Sequence, residues 1–273
     1  MLNFLRYQHQ TAPSRPTGPN FKRARKVELW LRGSRFKVMV PRHRSIHPIS
    51  AVTARKNVTL APQQFQHRTH KGMPIASVGL IYRKWEFYNS WLGRRIATCD
   101  FGFDVYAIPD SAAVNYFNPR AFEQGLAYIL ECHNGCAFSN GHQMWLSPME
   151  WQPLTKMPCV AAKFSTLPST LNIDANLKYR EIAFPVTKNL IGIVSFRMYW
   201  NHMRAEHIEK YGRDVQWVDL SEMEMLIDQV INSIEFELSP EAQVEQREAL
   251  AGLEDTSLVK EFPPIKFRER SDT

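Results

Sequence analysis

Hydrophobic and polar residues alternate with a period of two over most of the patterned segments of this chain, which predicts more strands than helices. Val27, Leu29 and Leu31 share one side of a first segment, and Phe36, Val38 and Val40 share one side of a second. Gly33-Ser34 lies between them and tolerates positive φ, so the two segments read as a hairpin with Lys26, Arg32, Arg35 and Lys37 on its polar side. Residues 75–108 predict a longer antiparallel pair turning at 89–93. Its second arm places Ala97, Cys99, Phe101, Phe103, Val105 and Ala107 on one face and Asp100 and Asp104 on the other. Residues 144–151, 157–164 and 178–184 predict further strands between turns rich in Ser, Thr, Pro and Asn.

Helical periodicity is confined to a few places. Asn118-Pro119 opens a helix with a capping side chain and a proline at the first position; Phe122, Leu126, Ile129 and Leu130 form its apolar face, and Asn134-Gly135 stops it. The stretch 190–238 reads as strand, helix, strand: an apolar run at 190–196, an excursion with a short helix at 201–211, and a helix opened by the capping-box pattern Ser221-Glu222-Met223-Glu224. Met223, Leu226, Ile227, Val230 and Ile231 form that helix's core face, and an alternating segment follows at 234–238. The order suggests a sheet closed by a helix laid across one face. Ser239-Pro240-Glu241 opens a polar helix ended by Gly252, and 254–273 reads as a loose charged tail.

Strands joined by short turns, with few helices, predict an α+β fold: a mainly antiparallel, twisted sheet with helices on one face. Residues 1–25, with Pro13, Pro16 and Pro19 and no periodicity, read as a flexible basic arm. Residues 26–238 then form one α+β domain, with a weak boundary near 70–75 after the loop-rich stretch 41–74, and 239–273 the polar helix and tail. No repeat of solenoid or propeller period is present.

Charge changes this picture more than composition does. The formal net charge is +7, yet the first 84 residues carry 17 Lys and Arg against the single acid Glu28, and the remainder carries 17 against 26. Such a split marks either an anion-binding region or two parts of one molecule that attract each other. No apolar run reaches membrane-spanning length, and the start lacks the apolar stretch of a secretory signal, so a cytoplasmic protein is expected. Cys99, Cys132, Cys136 and Cys159 are too few for a disulfide scaffold and are expected as thiols.

The strand at 191–199, the inserted excursion, the amphipathic helix and the last strand around Ser233-Ile234-Glu235-Phe236 resemble the end of PsbP-like domains. The resemblance spans about fifty residues and rests on the order of elements; it implies an accessory or binding role and no particular chemistry.

Three groups of residues are candidates for chemistry. Cys132, His133, Cys136 and His142 offer thiolates and imidazoles to zinc, although Cys-x3-Cys without a second arm is unlike a structural zinc motif, and buried thiols beside a helix-end histidine are the plainer alternative. Asp100 and Asp104, with Glu86 on the neighbouring arm, are candidate catalytic or metal-binding carboxylates, against solvation of an outward face. Lys22, Arg23, Arg25, Lys26, Arg32, Arg35 and Lys37, with Phe21 and Trp30 among them, are candidate phosphate contacts. Phosphate-loop and dinucleotide fingerprints are absent. The leading expectation is a non-enzymatic binding or accessory protein without a cofactor, its partner expected to be another protein. A nucleic-acid-associated protein comes second and a metal-dependent hydrolase third.

Overall fold

The structure, a computed structural model, describes residues 15–45, 49–70, 73–89, 94–109, 113–134, 138–139, 142–143, 145–168, 177–200, 218–263 and 265. The first hairpin is β1 (Arg25–Leu31) with β2 (Ser34–Val40). Its turn is Arg32-Gly33, one residue earlier than the sequence suggests, with both at positive φ (47° and 88°) as a tight two-residue hairpin demands. Ser34 is thereby freed to pair with Leu31, and its buried hydroxyl accepts the amide of Ser239 at 3.0 Å.

Three short strands follow, β3 (Val52–Thr53), β4 (Asn57–Val58) and β5 (Gln66–His70), and then the long pair β6 (Met73–Asn89) and β7 (Arg94–Ala107). Among the described residues, the strands β8 (Phe138–Ser139) and β9 (His142–Gln143) pair only with each other. β10 (Trp145–Pro153), β11 (Ala162–Pro168), β12 (Leu177–Thr187) and β13 (Leu190–Trp200) complete a large sheet in the order β10-β11-β12-β13-β7-β6-β3, with β5 also on β6. Every pairing in this sheet is antiparallel. β11 begins later than the alternation suggests because Met157-Pro158 belongs to the turn, where proline has no amide to give a ladder.

Alternation along β13 assigns the two faces. Leu190, Val194, Phe196 and Met198 enter one core, and Ile191 and Ile193 enter another. The first core is closed by the small sheet, ordered β14-β2-β1-β4, where β14 (Glu235–Glu237) pairs antiparallel with β2. Aromatic rings join the layers: Phe36 stacks on Phe103 at 4.3 Å and on Phe184 at 6.1 Å, and Phe184 meets Phe236 at a tilt at 4.9 Å. The helix α2 (Ser221–Asn232) buries Met223, Leu226, Ile227, Val230 and Ile231 in the same core. The final unit is therefore not one closed strand-helix-strand: its two strands belong to different sheets, and its helix crosses between them.

The opposite face is covered by α1 (Pro119–Asn134), whose Phe122, Leu126, Ile129 and Leu130 pack on Ala162, Phe164, Ala183, Ile191 and Ile193. The expectation of helices on one face is thus corrected, because both faces of the large sheet are apolar and each requires a cover. Asn118 caps α1, accepting the amides of Arg120 and Ala121 at 3.0 and 3.2 Å. The capping box of α2 is not formed: the cap position is Leu220, whose side chain is buried, and Asp219 accepts the Ser221 amide at 3.0 Å instead.

α3 (Pro240–Leu250) starts at Ser239, which caps the Ala242 amide at 3.1 Å. The tail after it is packed rather than loose as far as the described residues extend. Leu258, Phe262 and Ile265 are buried in the second core, and the Trp151 indole donates to the carbonyl of Val259 at 2.8 Å while the Val259 amide donates to Glu123 at 2.7 Å. Residues 266–273 and 1–14 lie outside the described residues, as does the short helix expected at 201–211. The described part of the expected arm is fixed: Thr17 exchanges two backbone hydrogen bonds with Tyr88, and Arg15 pairs with Asp219 at 3.3 Å. Among the described residues, no helix is long and apolar enough to cross a membrane.

Candidate functional site

Among the described residues, α1 and the returning tail cover only part of the large sheet's second face. Beyond them the same faces of β6, β7, β13, β12 and β11 turn polar, and strand register sorts those positions into rows. One row runs Gly79, Asp104, Ile193, Ala183 and Ala162. The next holds Tyr82, Gly102, Ser195, Glu181 and Phe164, and the next Lys84, Asp100, Arg197, Tyr179 and Thr166. Tyr199 and Thr98 stand one row further, opposite Glu86. Arg197 and Tyr199 are exposed, whereas Tyr82, Lys84, Asp100, Asp104, Tyr179 and Glu181 are half-buried.

The acids of this floor differ in how they are served. Asp100 is paired with Lys84 at 3.2 Å; burial, helped by the Asp100 carboxylate, lifts the Tyr82 phenol to about 12. Asp104 lies over bare backbone, since a Cβ on Gly79 would stand 3.2 Å from one of its oxygens and a Cβ on Gly102 3.3 Å from the other. Burial raises its pKa to about 6, against the pull of Arg197 and Arg68. Glu181 accepts one hydrogen bond, from Thr166 at 2.9 Å, and burial lifts it to about 7; Thr166 and Arg197 oppose the rise and Asp104 adds to it.

Arg197 lies over the Tyr179 ring, 5.5 Å from its centre, and Tyr179 in turn stacks on Trp145 at 5.3 Å. Burial disfavours its charge, but the surrounding tyrosines and Asp104 outweigh that and raise its pKa. Among the described residues, neither the Arg197 guanidinium nor the Asp104 carboxyl makes a hydrogen bond or an ion pair. The open half of the sheet thus presents a cation on an aromatic bed beside two carboxyls that it does not neutralise.

Of the carboxylates singled out by sequence, Asp100 and Asp104 do share this face, and Glu86 stands on it as well. They do not converge. Glu86 is fully buried and held by the Tyr88 hydroxyl at 2.5 Å and Arg95 at 3.3 Å. Glu181, Arg197 and Tyr179 escaped the sequence reading, although polar residues at alternate positions of apolar strands are a readable signal.

The other two groups are dispersed. Cys132 is buried, and exposed His133 meets the Tyr106 ring edge-on at 5.3 Å. Cys136 lies outside the described residues, as does the side chain of His142 on β9. No group of three His, Cys, Asp or Glu able to hold a metal occurs among the described residues. Among the basic residues, Lys26 pairs with Glu28 at 3.1 Å, Lys37 with Glu235 at 2.9 Å and Arg35 with Glu237. Lys22, Arg23, Arg25 and Arg32 remain on the surface.

Two grooves elsewhere are occupied by their own partners. In one of about 290 Å³ at the β10 edge, Glu150 binds Ser165 and Lys178, and Arg180 binds Asp228. In one of about 470 Å³ beside α3, Gln243 donates to the Leu238 carbonyl and Gln246 to that of Pro158. No family model, no curated protein and no solved structure matches the chain.

Proposed function

We propose that the protein acts by binding, as a non-enzymatic accessory protein that holds a small polar ligand on the open half of its large sheet. The observation that carries this reading is Arg197, an exposed guanidinium laid on Tyr179 without a described carboxylate partner. An unpaired cation fixed on strands rather than loops is positioned for a ligand in advance, which lowers the ordering cost of binding. The thiols argue in the same direction: Cys99 and Cys159 are buried, and burial holds both well above the usual thiol range, so neither is an available nucleophile.

The test is thermal unfolding of the full chain with a panel of small carboxylates, amines and neutral sugars. One class is expected to raise the midpoint of the wild type by about 2 °C or more. A variant combining Arg197→Gln with Tyr179→Ala should not respond to that class. A panel without any response, or a variant that responds like the wild type, overturns the reading.

A further inference from the structure

We propose that the ligand is a small organic anion, a flat carboxylate whose charge rests on Arg197 and whose plane lies against Tyr199. This rests on the reading of the open half-sheet as a ligand site and adds the ligand's charge and shape.

The cation comes first. Lys84, the other cation of these rows, is closed against Asp100 at 3.2 Å, which leaves Arg197 to receive a charged partner. A guanidinium is a planar fork that matches a carboxylate with two parallel hydrogen bonds. Arg197 lies over Tyr179, 5.5 Å from the ring centre, and among the described residues its N–H groups make no hydrogen bond, so they are left for a ligand. Trp145 stacks on Tyr179 from the β10 side and Arg197 lies over it from the β13 side, whereas Tyr199 is 36% exposed, so a flat apolar group beside Arg197 meets the aromatic surface of Tyr199. Aromatic side chains supply contact area with little rotamer entropy to lose.

The carboxyls decide how such a ligand behaves with pH. Asp104 and Glu181 would repel an anion if both were ionised. They face Arg68 from β5, Tyr82 and Lys84 from β6, Asp100 and Tyr106 from β7, Thr166 from β11, Tyr179 from β12, and Ser195, Arg197 and Tyr199 from β13. His133 of α1 stands against Tyr106. Burial keeps both acids protonated to unusually high pH, about 6 for Asp104 and about 7 for Glu181. Below that range Lys84 and Asp100 cancel, and Arg197 and Arg68 leave the group net positive. A bound anion raises both pKa values further, so binding takes up protons and strengthens as pH falls from 8 to 6. A cationic ligand would show the opposite slope.

Three probes with one ring and different charge test this: benzoate, benzylammonium and benzyl alcohol, titrated into the full chain and followed by NMR at pH 6 and pH 8. Benzoate is expected to bind at pH 6 with a dissociation constant of about a millimolar, as suits a fragment. At pH 8 it should bind at least about tenfold more weakly, the equivalent of one unit of pKa shift on binding. Arg197→Lys should weaken binding through loss of the fork, and Arg197→Gln should abolish it while the fold, checked by circular dichroism, persists. The combination Asp104→Asn with Glu181→Gln should keep benzoate binding and lose its pH dependence.

Benzyl alcohol binding as tightly as benzoate, benzoate binding unchanged by Arg197→Gln, or no binding of any probe each overturns the anion. Benzylammonium binding that strengthens with pH and is lost in Tyr179→Ala also overturns it, yet leaves the sheet face standing as a ligand site. The broader panel of unfolding measurements judges that site separately.

Discussion

Glu181 occupies a strand whose opposite side is filled by Ile182, Phe184 and Val186, and its carboxyl is served by a single hydroxyl, that of Thr166 at 2.9 Å. One neutral donor is poor compensation for lost water, which is why burial dominates and raises the pKa to about 7. The folded pKa exceeds the ordinary value of 4.5, so the folded chain holds this proton more firmly than the unfolded chain does. The associated stability is complete below about pH 4.5 and is lost as pH rises through about 7. Glu181→Gln is therefore expected to be more stable than the wild type at pH 8 by about 1–2 kcal/mol, an amount reduced for partial contact with solvent. The gain should vanish near pH 4.5. Urea unfolding at both pH values measures it, and a variant less stable at pH 8 would refute the cause assigned here. Carboxylates held below their usual range by partners, such as Glu28 and Glu235, titrate equally in both proteins and cancel from the difference. Asp104 was legible in the sequence because the alternation of β7 places it opposite an apolar face. Glu181 and Arg197 join it only through the register of three strands, and register is a long-range property that no single segment carries.

At the scale of elements, α1 shows how packing overrides propensity. Gly125 lies within this helix, where glycine costs about 1 kcal/mol relative to alanine. A Cβ there would stand 2.6 Å from Cε1 of Tyr116 and 2.9 Å from Cδ1 of Ile191, both buried, so the helix approaches β13 through the space a methyl group would need. Gly125→Ala is expected to lose about 1–3 kcal/mol in spite of its better propensity, because the crowded neighbours have little room to yield. Chemical denaturation decides between the two effects, and a stabilised variant would show that the contact relaxes. The start of α1 was readable from Asn118-Pro119, since its signal is local. The packed tail was not: its apolar residues Leu258 and Phe262 are sparse among charges, and their value arises from Trp151, whose ring lies 4.6 Å from that of Phe262. The destination of β14 was equally hidden, because alternation marks a strand and its apolar side without naming the edge it joins.

For the molecule as a whole, β14 brings the end of the fold onto its beginning. The strand lies against β2, with Glu235 opposite Lys37, Phe236 opposite Phe36 and Glu237 opposite Arg35. Part of the charge asymmetry between the basic first third and the acidic remainder is therefore satisfied inside the molecule. These ion pairs are solvated and screened, so they select the register rather than hold the sheet. The holding force is Phe236, which is buried between Phe184 and the small sheet. Phe236→Ala is expected to cost about 3 kcal/mol or more, the usual range for emptying a buried aromatic site. The loss should appear far away in sequence, as faster amide hydrogen exchange in β2, because that strand loses its outer neighbour. Exchanging Glu235 and Glu237 for glutamine should cost far less and leave the protection of β2 nearly intact, with the small difference shrinking in salt. If β2 stayed equally protected in Phe236→Ala, the small sheet would be held by β1 and the first core alone, and closure by the last strand would have no energetic weight. If the glutamine exchanges were the more damaging, charge rather than burial would be what joins the two ends.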